Sequence, residues 1–234
     1  MVVMTPDTIA LAICSREDTK NYTDALFSHM LSLVDPERGL EGIVVPSETR
    51  YATTLLFHDL DDIEVRAPKY FDCIPPSEEH VVEIWNTFSH LRECDGPGIL
   101  VHCEAGISRS VAAAIIGLCA MGFKPEDAFR RVTFINEIGL PNRRMLRLAG
   151  EMMDDNGRLL RMAEKHRKFL FQKYSQFDPT EFLRAELDRK PFWRKWLDYA
   201  RLLLTTRGNM ASYGSDQKMW SRLQIKEGMQ EQDA

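Results

Sequence analysis

Apolar positions along this chain fall into short strand-length runs in its first half and helical stripes that follow them. The runs lie at 8–14 (TIALAIC), at the end of 24–34 (DALFSHMLSLV), and at 42–45 (GIVV), 53–57 (TTLLF) and 99–102 (ILVH). The third, fourth and fifth runs are four or five residues long, and the last is apolar throughout up to its histidine, as in strands buried within a central sheet. Asp35-Pro36 stops the second run, and residues 59–70 are polar and irregular. Pro75-Pro76-Ser77-Glu78-Glu79 predicts a helix start, with Ser77 as N-cap and acids in the first turn. Val81, Ile84, Trp85, Phe88 and Leu91 then recur at helical spacing until Gly96-Pro97-Gly98 breaks the chain. An alanine-rich helix is predicted from Ser110 to Gly122, with two more over 125–136 and 142–153. Strands alternating with helices predict an α/β domain, its central sheet flanked by helices on both faces.

Beyond about residue 155 the pattern changes. Residues 157–176 read as a basic amphipathic helix, and helix starts recur at 178–181 and at Lys190-Pro191. Phe192, Trp193, Trp196, Tyr199 and Leu203 then follow at helical intervals. Charge changes at the same place: residues 1–155 hold 14 Lys/Arg and 25 Asp/Glu, a net of −11, whereas 156–234 hold 16 and 10, a net of +6. The chain thus divides into an acidic α/β domain (1–155) and a basic, α-helical C-terminal extension (156–234).

Composition narrows the class. With 44% hydrophobic and 28% charged residues, the 234-residue chain resembles ordinary soluble proteins. Residues 1–15 lack a basic start and a long apolar stretch, so no secretory signal is read there. No apolar run approaches the roughly 18 residues of a membrane span. Five scattered cysteines form no C-x-x-C pair, which argues against a zinc site or a disulfide framework and for a reducing, cytoplasmic setting.

Chemistry concentrates in 100–111 (LVHCEAGISRSV). An apolar strand ends at His102, Cys103 follows, and after five residues Arg109-Ser110 opens a helix. Strand, tight loop and helix N-terminus form an anion cradle, because loop amides converge and the helix dipole adds about half a positive charge. Gly106 lets the backbone turn closely, and Arg109 presents a planar fork suited to two oxygens of a tetrahedral oxyanion. The amides from Cys103 through Glu104, Ala105, Gly106, Ile107 and Ser108 to Arg109 are the expected phosphate contacts. A thiol in such a place is expected to ionise more readily than the usual value of about 8.5 allows. It would attack phosphorus and form a thiophosphate. Ser110 is placed to donate a hydrogen bond to the departing sulfur, and His102 to orient the loop. A lone cysteine before a helix is more often a small buried hydrophobe; the joint occurrence of Cys, Gly and Arg in the C-x5-R frame favours the catalytic reading.

His102 to Ser110 resembles H-C-x-x-G-x-x-R-[ST], the phosphate-binding loop of the cysteine-based protein tyrosine phosphatases, and the A-G-I-S-R-S form is similar to the dual-specificity branch. Arg131, with Pro141-Asn142 and Met145-Leu146, resembles the segment that closes that domain, making Asn142 a supporting residue, and Ser32–Pro36 resembles an S-L-[LV]-D-P strand of compact bacterial relatives. The resemblance covers roughly residues 5–155. It implies a sheet of about five strands flanked by helices, no metal or other cofactor, and two-step hydrolysis. It also implies a general acid on an upstream loop. Asp59 fits the F-x-D strand exit but lies 44 residues before Cys103; Asp62 follows closely; Asp72 has the more usual spacing of 31 but an unusual setting. The order of preference is Asp59, Asp62, Asp72.

The loop carries no lysine, and with the acidic first half this argues against polyanionic substrates such as inositides or RNA ends, and for a phosphoprotein or phosphopeptide. A non-catalytic phosphopeptide-binding module is the alternative, as is an enzyme of RNA 5′-ends or small phosphates. The basic extension is expected to pack on the catalytic domain or a second subunit, or to dock a partner protein. Interspersed acids argue against a nucleic-acid grip. Reversible peroxide inactivation follows from a reactive Cys103, with Cys73 or Cys94 as candidate disulfide partners.

Overall fold

Four parallel strands and one antiparallel edge strand make the sheet of this computed structural model, which describes residues 3–4, 10–24, 27–94 and 97–175. The strands are β1 (Val3–Met4), β2 (Ala10–Ser15), β3 (His29–Val34), β4 (Tyr51–Leu56) and β5 (Gly98–Cys103), in the spatial order β1-β2-β5-β3-β4. β5 is central, pairing in parallel with β2 and with β3. Buried on both sides, it is the fully apolar run expected of that position.

Five helices follow: α1 (Glu78–Glu93), α2 (Arg109–Ala120), α3 (Pro125–Ile135), α4 (Arg143–Met152) and α5 (Arg158–Ser175). Ser77 caps α1 as expected, but the reciprocal bond of its capping box comes from His80. Alternate strand residues divide the core. Leu11, Ile13, Leu31, Leu33, Ile99 and Val101 face the cluster that all five helices fill. α2 is buried along almost its whole length. Gly117 lets it approach α1 closely, for a β-carbon there would lie 2.3 Å from the Phe88 ring.

Helices therefore flank the sheet, but unequally. Among the described residues the second face holds a smaller cluster of Ala12, Cys14, Phe27, Met30 and Leu100, covered by Tyr22 from a 3-10 turn and by Ile43 from a loop. The expected helices thus lie on both faces, α-helices on one and, among the described residues, a single 3-10 helix on the other. The run at 42–45 is likewise loop, not strand: Gly42 takes φ +72, and the segment crosses from β3 towards β4. The expected helix over 157–176 is α5, whose Leu159 and Ala163 join the main core. The expected helix starts at 178–181 and 190–191, and the aromatic stripe from Phe192 to Leu203, lie outside the described residues.

Candidate active site

At the carboxyl end of β5 the chain turns sharply into α2. Cys103 ends the strand, Arg109 begins the helix, and five residues join them. Gly106 takes φ +71, a conformation costly for residues with a β-carbon. Its N–H donates to Cys103 Sγ at 3.2 Å, and Ser110 Oγ lies 3.2 Å from the same sulfur. The sulfur thus faces an amide, a hydroxyl and the positive end of a twelve-residue helix, surroundings that suit an anion.

Arg109 is buried, with only 2% exposure. Its NH1 group donates to the Phe57 carbonyl and pairs with Asp35 Oδ1 at 2.9 Å. Pairing is what lets a buried guanidinium persist. Burial in turn raises the Asp35 carboxyl above the usual range, although Arg109 opposes the rise. The Nε–H of Arg109 has no hydrogen-bond partner and lies 3.9 Å from Asp59 Oδ2. The Nε–H therefore remains for an oxyanion.

The loop is fastened from several sides. The Glu104 side chain accepts from Arg16 Nε and NH2 at 2.9 and 2.7 Å, and from Arg38 NH1 at 2.7 Å. Only its backbone amide is left to serve as the expected phosphate contact. Asn136 Nδ2 donates to the Gly106 carbonyl at 2.8 Å, and Leu140 N–H to the Ile107 carbonyl at 2.9 Å. Ala105 is buried and Ile107 half-buried.

The three acid candidates separate clearly. Asp59 Oδ1 accepts from Ser108 Oγ at 2.8 Å and from Asn142 Nδ2 at 2.7 Å, which puts its carboxylate on the rim of the loop beside Arg109. Asn142 also caps α4 by accepting from Met145 N–H. Asp62 is instead held by Arg147 and Arg144, whose hydrogen bonds keep its carboxyl below the ordinary range. Asp72 is exposed on the turn at 71–72 and has no hydrogen bond or ion pair to the loop. His102 shares a hydrogen bond of 2.8 Å with Ser32 Oγ, and burial pushes its imidazole down to about 4, so it is neutral at pH 7. The candidate disulfide partner Cys94 precedes β5, whereas Cys103 ends it. A six-residue strand spans roughly 17 Å, far beyond the reach of about 7 Å between bridged Cα atoms.

No family model matches the chain. Human protein tyrosine phosphatase type IVA 3 is 32% identical over 114 residues, 48% of this chain and 64% of that protein, and the bovine protein of the same name matches equally. The chain thus spans just under two thirds of the length of these curated relatives. The matched relative bears the same superfamily name that the Cys103–Arg109 loop suggests. Over those 114 residues the chain is similar to the cysteine-based protein tyrosine phosphatases. Among solved structures of similar fold, human DUSP28 is 14% identical, with a TM-score of 0.49, over 66% of this chain and 96% of that one. The human tyrosine phosphatase-like serine/threonine/tyrosine-interacting protein is 17% identical, also at 0.49, over 67% and 97%.

Structure adds residues that sequence reasoning missed. Asp35 is the ion-pair partner of Arg109, and the Asp-Pro pair directly after a buried strand was its one available signal. Arg16 and Arg38 grip the loop through Glu104, from 88 and 66 positions away, and have no local signature. Among the described residues, no group of three or more His, Cys, Asp or Glu side chains could hold a metal ion, and no helix is long and apolar enough to cross a membrane.

Proposed function

We propose that this protein hydrolyses phosphomonoesters through a cysteinyl-phosphate, acting on phosphotyrosine and, by its dual-specificity-like loop, on phosphoserine or phosphothreonine of proteins in the cytoplasm. The observation that carries the reading is the Cys103 sulfur facing the Gly106 amide and the α2 N-terminus, with the unpartnered Arg109 Nε–H nearby.

The amides of residues 104–109 and the Arg109 fork hold the phosphate in this reading. Cys103 Sγ attacks phosphorus, and the bond from phosphorus to the leaving oxygen breaks. Asp59 gives that oxygen a proton, then accepts one from the water that attacks the thiophosphate. Ser110 donates to the sulfur as it leaves. Asn142 and Ser108 hold Asp59, and neutral His102 steadies the strand end. Asp59 is preferred to Asp62 because two arginines bind the Asp62 carboxylate, and to Asp72 because no contact brings Asp72 to the loop.

The test is turnover of an aryl phosphate and of phosphotyrosyl and phosphoseryl peptides, with chelator present. Hydrolysis of the aryl ester and at least one peptide is expected, and loss of both in Cys103→Ser. Tight peptide binding without turnover would instead make the cradle a phosphopeptide-binding module. Faster turnover of RNA 5′-triphosphate or inositides would move the substrate class.

A further inference from the structure

The loop that bears Asp59 is gripped residue by residue from the start of α4. Asn142 Nδ2 donates to Asp59 Oδ1 and to the Leu60 carbonyl at 3.1 Å. Arg143 NH2 meets Asp61 Oδ2 at 2.8 Å. Arg144 NH1 meets Asp62 Oδ1 at 2.6 Å, and Arg147 closes on the same carboxylate through Nε and NH2 at 2.7 and 3.0 Å. Four consecutive loop residues are therefore bonded to the N-cap and three residues in the first two turns of one helix.

The comb is anchored at both ends. Arg144 Nε donates to the Pro76 carbonyl at 2.7 Å, just before α1, and Arg143 NH1 pairs with Glu164 of α5 at 2.6 Å. The segment leading into α4 is also bonded to the phosphate loop, through Leu140 N–H to the Ile107 carbonyl and Asn142 N–H to the Ser108 carbonyl. Cradle and acid loop thus share one frame. A single exposed ion pair contributes little, but a forked, half-buried network on one short loop restricts its backbone far more.

We propose that Arg144 and Arg147 are positioning residues for proton transfer. They fix Asp62, the far end of the loop, against α4 while Asn142 and Arg143 hold residues 59–61, so that Asp59 stands at the cradle rim before substrate arrives and the acid loop need not swing into place at each turnover. The inference rests on Asp59 as the general acid.

The experiment compares kcat/KM for two aryl esters, 4-nitrophenyl phosphate, whose leaving group needs little protonation, and phenyl phosphate, whose leaving group needs much. The double variant Arg144→Met/Arg147→Met should lose about tenfold on phenyl phosphate but less than about threefold on the nitrophenyl ester, a part of the 10²–10⁴ that a general acid supplies. The limb of its kcat/KM–pH profile that needs the protonated acid should flatten. Asp62→Asn, which removes the shared anion and keeps both arginines, should show the same selective loss, and Arg144→Lys/Arg147→Lys should recover part of it. Equal losses on both esters, or none on either, would overturn the inference. Asp59→Asn measured in parallel separates the two readings. If it shows no leaving-group-dependent loss, Asp59 is not the acid. If it does and the arginine and Asp62 variants do not, the comb positions nothing.

Discussion

Each end of β5 has a cysteine beside it, and the two thiols meet opposite ends of helices. Cys94 caps α1, its N–H donating to the His90 carbonyl, in the negative field of a helix C-terminus. Cys103 lies before α2, in the positive field of an N-terminus. The polar groups around each follow suit. Near Cys94, His90 Nε2 lies 3.2 Å from the sulfur, His90 Nδ1 and His29 Nε2 share a hydrogen bond of 3.0 Å, and Tyr51 stacks on His29. These rings and their hydrogen bonds tie β3 and β4 to the end of α1. Near Cys103 stand an amide donor, a buried guanidinium and a rim carboxylate. One residue type, a strand's length apart, thus sits in a cohesive cluster at one end and, in the proposed reading, serves chemistry at the other. In parallel sheets ligands meet the carboxyl ends of strands because helix N-termini gather there.

That contrast can be broken most sharply at the cysteines. Cys103→Ser should lower turnover of an aryl phosphate by on the order of 10⁴-fold or more, and Cys94→Ser should leave it within about twofold; comparable losses in steady-state rates would erase the distinction. Arg109→Lys keeps a charge but loses the fork, and should cost roughly 10²–10³-fold in kcat/KM, read against inorganic phosphate inhibition, which should weaken too. At the opposite end, His29→Ala should leave turnover unchanged while removing about 1–3 kcal/mol of stability in denaturant titration, because Ser28 and His90 lose a buried partner.

Acid should expose both ends together. Burial holds His29 and His102 each down to about 4, against about 6.5 when unfolded. The unfolded chain therefore takes up their protons first, and the stability present above pH 6.5 is lost as pH falls towards 4. For His102, deeply buried, the loss is about 3 kcal/mol. Thermal unfolding between pH 7 and 4 should show it, and a flat profile would mean that neither imidazole is held neutral.

Much of this was legible in the chain. Apolar runs marked β2, β3 and β5 because each is buried and short, and β4 too, although only its Leu55 is buried; the Cys103–Arg109 loop was legible because strand end, glycine turn and helix start are contiguous. Asp59 ranked first on its F-x-D strand exit, but no local pattern told that Asp62 is engaged elsewhere. That engagement comes from Arg144 and Arg147, 82 and 85 positions later. Residues 42–45 misled for a related reason: GIVV is apolar enough for a strand, yet its burial is Ile43 resting on the smaller core while the backbone turns at Gly42. Long-range ionic pairing and loop packing leave no periodic trace.

Glu104 carries a last implication, for how an anion is drawn in. The domain's overall net charge would push phosphate esters away, but the charges bonded around this mouth cancel: Arg16, Arg38 and Arg109 against Glu104, Asp35 and Asp59. In the proposed reaction an arriving dianion would meet an electrically quiet vestibule, where oriented peptide dipoles rather than monopoles decide its approach. Ionic strength should therefore change capture rates less than the overall charge alone implies.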